Sequence, residues 1–229
     1  MTKKKLLTCA TICMSLLILV VIIIIVLIYM EKAYDSTVDS YFGTPSYPVF
    51  RSSVDKDGDG LDDQSDVLQG AKDYIATEPQ YKSIYYAGGY PDDKHGVCTD
   101  VVAFALKAAG YDLRKLIDED IKNDPFVYSM KAEERDSNID FRRVSNQRVW
   151  LSRHAISLTL DLSDPEDWQG GDIIVYENHV AMLSDRRNHE GIPYLIHLYS
   201  PIQTAAHNYE TNSLKKRAGE IVGHYRISE

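Results

Sequence analysis

The chain has 229 residues, 44% of them hydrophobic, and a formal net charge of −9. That length supports one core of ordinary size with accessories. An acidic balance argues against a nucleic-acid partner and gives no pull toward anionic lipid.

After a basic tip at residues 1–5 (MTKKK), residues 6–30 (LLTCATICMSLLILVVIIIIVLIYM) contain no charged side chain. The run is long enough to cross about 30 Å of hydrocarbon. It exceeds the apolar region of a cleavable signal and exits through Tyr29, Met30, Glu31 and Lys32 rather than through small residues, so it predicts an uncleaved, single-pass anchor. Lys3, Lys4 and Lys5 predict a cytoplasmic N-terminus and an exported remainder. Cys9 and Cys13 fall inside the anchor, which leaves Cys98 as the one exported cysteine. A lone thiol in an oxidising compartment is buried and inert, paired between molecules, or a working nucleophile.

Residues 31–54 hold Gly43, Pro45, Pro48 and several serines with no sustained period, and predict an irregular stalk. Residues 55–66 (DKDGDGLDDQSD) then place carboxylates at loop positions 1, 3, 5, 9 and 12 (Asp55, Asp57, Asp59, Asp63, Asp66), with Gly60 at 6 and the Leu61 carbonyl at 7. This is the ligand spacing of an EF-hand-like calcium loop, which predicts a structural Ca²⁺ and no organic cofactor. The preceding SYPVFRSSV has no helical pattern, and an acidic turn that caps the next helix without a metal fits the same residues.

The remainder, 67–229, reads as one domain. Val67, Leu68, Ala71, Tyr74 and Ile75 predict a helix near Ser65–Thr77, and YKSIYYAGGYPDDKHG is a loop leading into Cys98. From Thr99, the residues Val101, Val102, Ala105, Leu106 and Ala109 recur at helical spacing before a stop at Gly110. Cys98 therefore opens a half-buried helix, where unpaired N–H groups and the dipole favour a thiolate. Helices near 112–123 and 146–154 follow. After DPEDWQGGD the period becomes that of strands: IIVY, HVAMLS, YLIHLY and IVGHYRI. Helices first and strands second predict an α+β domain with the Cys98 helix packed on a small antiparallel sheet.

A cysteine nucleophile needs a base and a group that holds the base in one tautomer. His179 opens HVAMLSD and His197 lies in YLIHLYS, so neighbouring strands would set the two rings side by side. Arg142 and Arg143 in NIDFRR fit either an ion-pair staple or a fork for a substrate carboxylate, and Tyr90 is a candidate for the cleft rim.

GVCTDVV, SNIDFRRV, DWQGGDIIVY, HVAMLSD, the IH of YLIHLYS, and GHYR, spread over about Asp66–Arg226, resemble in order and spacing the bacterial family catalogued as domain of unknown function 1287. That family is similar to a branch of the NlpC-type, papain-like cell-wall cysteine peptidases. The resemblance implies Cys98 as nucleophile, His179 as base and His197 as orienting residue. It also implies a peptidase or amidase acting on peptidoglycan stem peptides, and the single anchor with an outward, wall-facing domain predicts a Gram-positive envelope. The family's usual Asn after the orienting histidine is Leu198 here, which removes one polar contact. A catalytically silent wall-binding or protein-binding module, or a cysteine acyltransferase, would carry the same residues.

Overall fold

The computed structural model describes residues 3–229. Met1 and Thr2 of the expected cytoplasmic tip lie outside the described residues, as do the side chains of Lys3, Lys4, Lys5, Leu6, Cys9 and Ala132. In chain order the elements are α1 (Lys3–Phe42), α2 (Asp63–Ala76), β1 (Gln80–Tyr81), β2 (His95–Gly96), α3 (Cys98–Ala108), α4 (Leu113–Asn123), α5 (Ser137–Asp140) and α6 (Val144–His154). There follow β3 (Ile156–Ser157), β4 (Ile173–Tyr176), β5 (His179–Arg187), β6 (Pro193–Ile196), α7 (Pro201–Ala205), β7 (Glu210–Thr211) and β8 (Ile221–Arg226). The architecture is mixed α+β, preceded by one helix long and apolar enough to span a membrane.

That helix departs from the expected stalk. It runs unbroken for 40 residues, about 60 Å, so residues 31–42 continue it well past the hydrocarbon thickness. Its first half is exposed and apolar, as a lipid-facing surface requires. Its second half lies against the domain. The Asp39 carboxylate accepts from the Tyr194 hydroxyl at 2.8 Å and from the His189 backbone N–H at 2.8 Å, and Glu31 pairs with Lys216 at 2.6 Å. The irregular lead-in is confined to residues 43–62.

The large sheet has the order β3-β8-β4-β5-β6-β7, and every neighbouring pair is antiparallel. Alternation along β4 and β5 sends Ile173, Val175, Val180 and Met182 into the main core under α2 and α3, and Ile174, Tyr176, Ala181 and Leu183 into a smaller cluster with Trp168 and Leu214. β4 is buried on both faces. Against the first face, α2 and α3 lie close together because Gly70 has no side chain. A Cβ there would sit 2.5 Å from that of Ala108. α3 stops at Gly110 (φ 77), with Gly110 N–H donating to the Lys107 carbonyl and Tyr111 N–H to that of Leu106, the paired bonds that close a helix through a left-handed residue.

One buried carboxylate joins α2 to the sheet. Asp172 accepts from the Gln64 amide (3.0 Å), the Gln169 N–H (2.9 Å), both arms of Arg226 (2.8 and 2.9 Å) and, on its Oδ2, lies 3.1 Å from His224 Nε2. Trp168 stacks on His224 at 4.1 Å between ring centres and closes the turn into β4. Removing the fully buried carboxylate leaves the Gln64 amide and the His224 ring without their partner and a largely enclosed guanidinium uncompensated, so Asp172→Ala is expected to cost about 3 kcal/mol of unfolding free energy. Denaturant unfolding checks this; a loss below about 1 kcal/mol would contradict the role given to the network.

Candidate active site

Cys98 is the first residue of α3. The turn is held by Asp100, whose Oδ2 accepts the Val97 N–H at 2.8 Å. The same carboxylate receives the Arg142 guanidinium on both oxygens, at 2.7 and 2.8 Å, and the remaining Arg142 arm donates to the Ile84 carbonyl at 2.6 Å. Thr99 Oγ1 donates to the Arg142 carbonyl, and the Gln147 amide donates to the carbonyls of Thr99 and Phe141. The first turn of α3 is thus fastened to the loop before it and to the start of α6.

The thiol lies against the backbone N–H of Val180, which is adjacent to His179. Cys98, His179, Tyr81, Tyr176, Tyr199 and Arg217 line one open cleft, together with Glu177, Asn178 and Glu220. Pairing of β5 with β6 brings the two histidines together. His179 Nε2 is 2.8 Å from His197 Nδ1, with ring centres 5.0 Å apart. His197 is 2% exposed; its Nε2 is 2.9 Å from Thr211 Oγ1, which is 2.7 Å from Ser213 Oγ. If His179 Nε2 carries the proton, His197 Nδ1 accepts it, His197 Nε2–H donates to Thr211, and Thr211 donates to Ser213. This polarity leaves His179 Nδ1 as an acceptor for the cleft. Among the described residues no hydrogen bond joins the thiol to the His179 ring. Such contacts are often loose before substrate arrives.

Electrostatics here depart from the expected thiolate. Burial pushes the Cys98 thiol above its usual value, outweighing the backbone N–H groups of Val180 and Thr99 that favour the charged form. Burial, with a smaller contribution from Arg217, brings His179 down to about 4. His197 falls well below the usual histidine value, first from burial and then from the neighbouring His179 ring and Arg217. At neutral pH the resting site therefore holds a thiol and two neutral imidazoles.

The residues expected to bind substrate lie elsewhere. Arg142 is 7% exposed in its side chain and committed to Asp100, so it is a staple, with a partner other than the neighbouring Asp140. Arg143 pairs with Asp140 at 3.7 Å. Tyr90 packs between Phe104 and Phe141, donates to Asp112 at 2.9 Å and has the Lys107 ammonium over its ring. The cleft's cation is Arg217, set over the Tyr176 ring at 4.2 Å and paired with Glu220 at 2.8 Å. Neither it nor Thr211 stood in any pattern the sequence displays.

The carboxylates of the acidic loop at residues 55–66 lie at the other end of α3, where Asp57 packs against Gly110. Asp55, Asp57 and Asp59 converge at the loop before α2, and Asp66 lies in the first turn of α2.

Residues 68–227 match the family described as domain of unknown function DUF1287. Among curated proteins the uncharacterised protein YijF of Escherichia coli (strain K12) is 34% identical over 171 residues, which span 70% of this chain and 80% of that protein. No solved structure matches the chain.

A protonated thiol reacts with iodoacetamide only through its thiolate fraction. Alkylation of Cys98, followed by peptide mass, is expected to rise about tenfold per pH unit from pH 6 to pH 8, with no plateau in that range. A plateau between about pH 5 and 7 would show a thiolate and contradict the burial argument.

Proposed function

The chain belongs to the DUF1287 family, and we propose that it is a membrane-anchored cysteine amidohydrolase of NlpC-like, papain-like type that cleaves peptide or amide bonds, with peptidoglycan stem peptides as its substrate class. The observation that carries the reading is the His179–His197 contact at 2.8 Å, made at the cleft that also holds the thiol of a helix-opening cysteine. His197 is buried with both ring nitrogens partnered, one by a hydroxyl and one by the half-buried His179, an arrangement that fixes the His179 ring at the cleft.

In this reading Cys98 Sγ attacks the carbonyl carbon as its proton passes to His179 Nδ1. The S–C bond forms, the developing oxyanion meets the Cys98 backbone N–H, and the C–N bond breaks as His179 returns the proton to the leaving amine. Water, deprotonated by the same imidazole, then attacks the thioester carbonyl; the C–S bond breaks, the carboxylic acid departs, and His179 returns the proton to the Cys98 sulfur. His197 is neutral throughout and holds the His179 ring with Nδ1 toward the cleft. Since both thiol and imidazole start uncharged, attack and proton transfer occur together rather than from a preformed ion pair. Arg217, at the cleft though paired with Glu220, would meet a substrate carboxylate, and Glu177 would offer the opposite charge to an amine. A transferase would use the same first half-reaction and differ only in whether an amine or water takes the acyl group.

The test is incubation of the full chain in detergent with purified muropeptides, products read by mass. Stem-peptide fragments are expected from the unaltered protein, with turnover lowered at least about 10³-fold in Cys98→Ala and about 10²-fold in His197→Ala. Competing amines divert product in a transferase and leave it unchanged in a hydrolase. Full hydrolysis by Cys98→Ala would refute the reading; saturable binding without products would point to the wall-binding module.

A further inference from the structure

Far from the cleft, the loop at residues 55–66 gathers Asp55, Asp57 and Asp59, which each offer an oxygen within 4.8 Å of the others and are exposed. Exposed acidic triplets are common and prove nothing alone. The second observation is Asp66. It is 7% exposed, and its Oδ2 is enclosed and has no hydrogen-bond partner. The charges of Asp59, Asp57, Asp55 and Asp63 all bear on it. A carboxylate oxygen shut away from water without a donor, at the head of the helix into which the acidic loop runs, is an arrangement that proteins avoid unless a cation completes it.

The expected ninth-position ligand is otherwise engaged. Asp63 Oδ1 accepts the Lys56 N–H at 2.8 Å and Oδ2 accepts the Tyr111 hydroxyl at 2.5 Å, so Asp63 fastens the loop to the end of α3. We propose that Asp55, Asp57, Asp59 and Asp66 hold one calcium ion that clamps the lead-in segment to the α2–α3 pair. Carboxylate oxygens on an adaptable loop suit a large hard cation, whereas magnesium demands a near-ideal octahedron.

The surroundings give the ion its role. On one side, residues before the loop are tied to the chain's end, with Ser53 N–H donating to the Glu229 carbonyl at 2.6 Å and the Ser52 and Ser228 hydroxyls 2.7 Å apart. On the other, the loop packs on the stop of α3: a Cβ at Gly110 would come within 3.1 Å of that of Asp57, and Lys56 sits 4.8 Å from the centre of the Tyr111 ring. α3 has 11 residues, so the ion lies about 16 Å along the helix from Cys98. It acts on the stability of the helix pair and not on the reacting atoms.

Thermal unfolding of the full chain in detergent, stripped with chelator and titrated with calcium chloride, tests this without any assay of turnover. Calcium is expected to raise the melting temperature by several degrees in a saturable way, and magnesium chloride at the same concentration by much less. Asp57→Asn, at an exposed position that keeps the fold, should abolish the shift. Asp66→Asn should abolish it too while melting higher than the stripped parent, because the amide removes the crowded charge. Equal melting temperatures of the parent in calcium and chelator, or a calcium shift retained in Asp57→Asn, would overturn the proposal.

Discussion

The buried pair of Asp100 and Arg142 sets the geometry on which the cleft depends. Asp100 is fully enclosed, and burial raises its carboxyl pKa while the Arg142 fork pulls against that rise. Such a pair contributes little net stability compared with apolar packing. Its effect is positional. One carboxylate closes the first turn of α3, the Arg142 guanidinium reaches back to Ile84, and the Arg142 backbone carbonyl accepts from the Thr99 hydroxyl. Three segments far apart in sequence meet at the residue beside Cys98. Small movements of α3 are therefore resisted by hydrogen bonds whose donors and acceptors have no water to fall back on.

The same enclosure governs the chemistry. A helix N-terminus favours a thiolate, and here its N–H groups do act on the sulfur, but burial is the larger effect and keeps the proton in place. Burial likewise keeps both imidazoles neutral, and Arg217 adds to it. A carboxylate in the place of His197 would stabilise an imidazolium at rest. A second imidazole orients the ring without doing so, and in the proposed mechanism charge separation would be deferred until a carbonyl is present to receive the sulfur. The hydroxyls of Thr211 and Ser213 extend this orientation without adding charge.

Much of this was legible in the sequence. Helical spacing from Thr99 and the stop at Gly110 located α3, and short β-branched runs located β4, β5 and β8, with α+β order as their sum. Two histidines on successive strand segments were enough to suggest adjacent rings. What could not be read was burial. Arg142, Arg143 and Tyr90 have the residue types of a binding rim, yet Arg142 and Tyr90 are held by partners from other segments and Arg143 pairs with Asp140 one turn before it. Arg217 and Thr211 come from stretches with no periodicity to mark them. Residues 31–42 lack a strong apolar stripe, and their helix is an extension of the anchor held by Asp39 and Glu31 against the domain. The raised thiol pKa belongs to the same class, since solvent exclusion is a property of the folded chain.

The most direct test of the central claim is acid quenching of the protein during turnover of a stem peptide, with intact mass and peptide mapping. The account predicts an acyl adduct on the peptide that carries Cys98, held as a thioester and released by hydroxylamine. Turnover that proceeds with Cys98 unmodified at every quench time would contradict it.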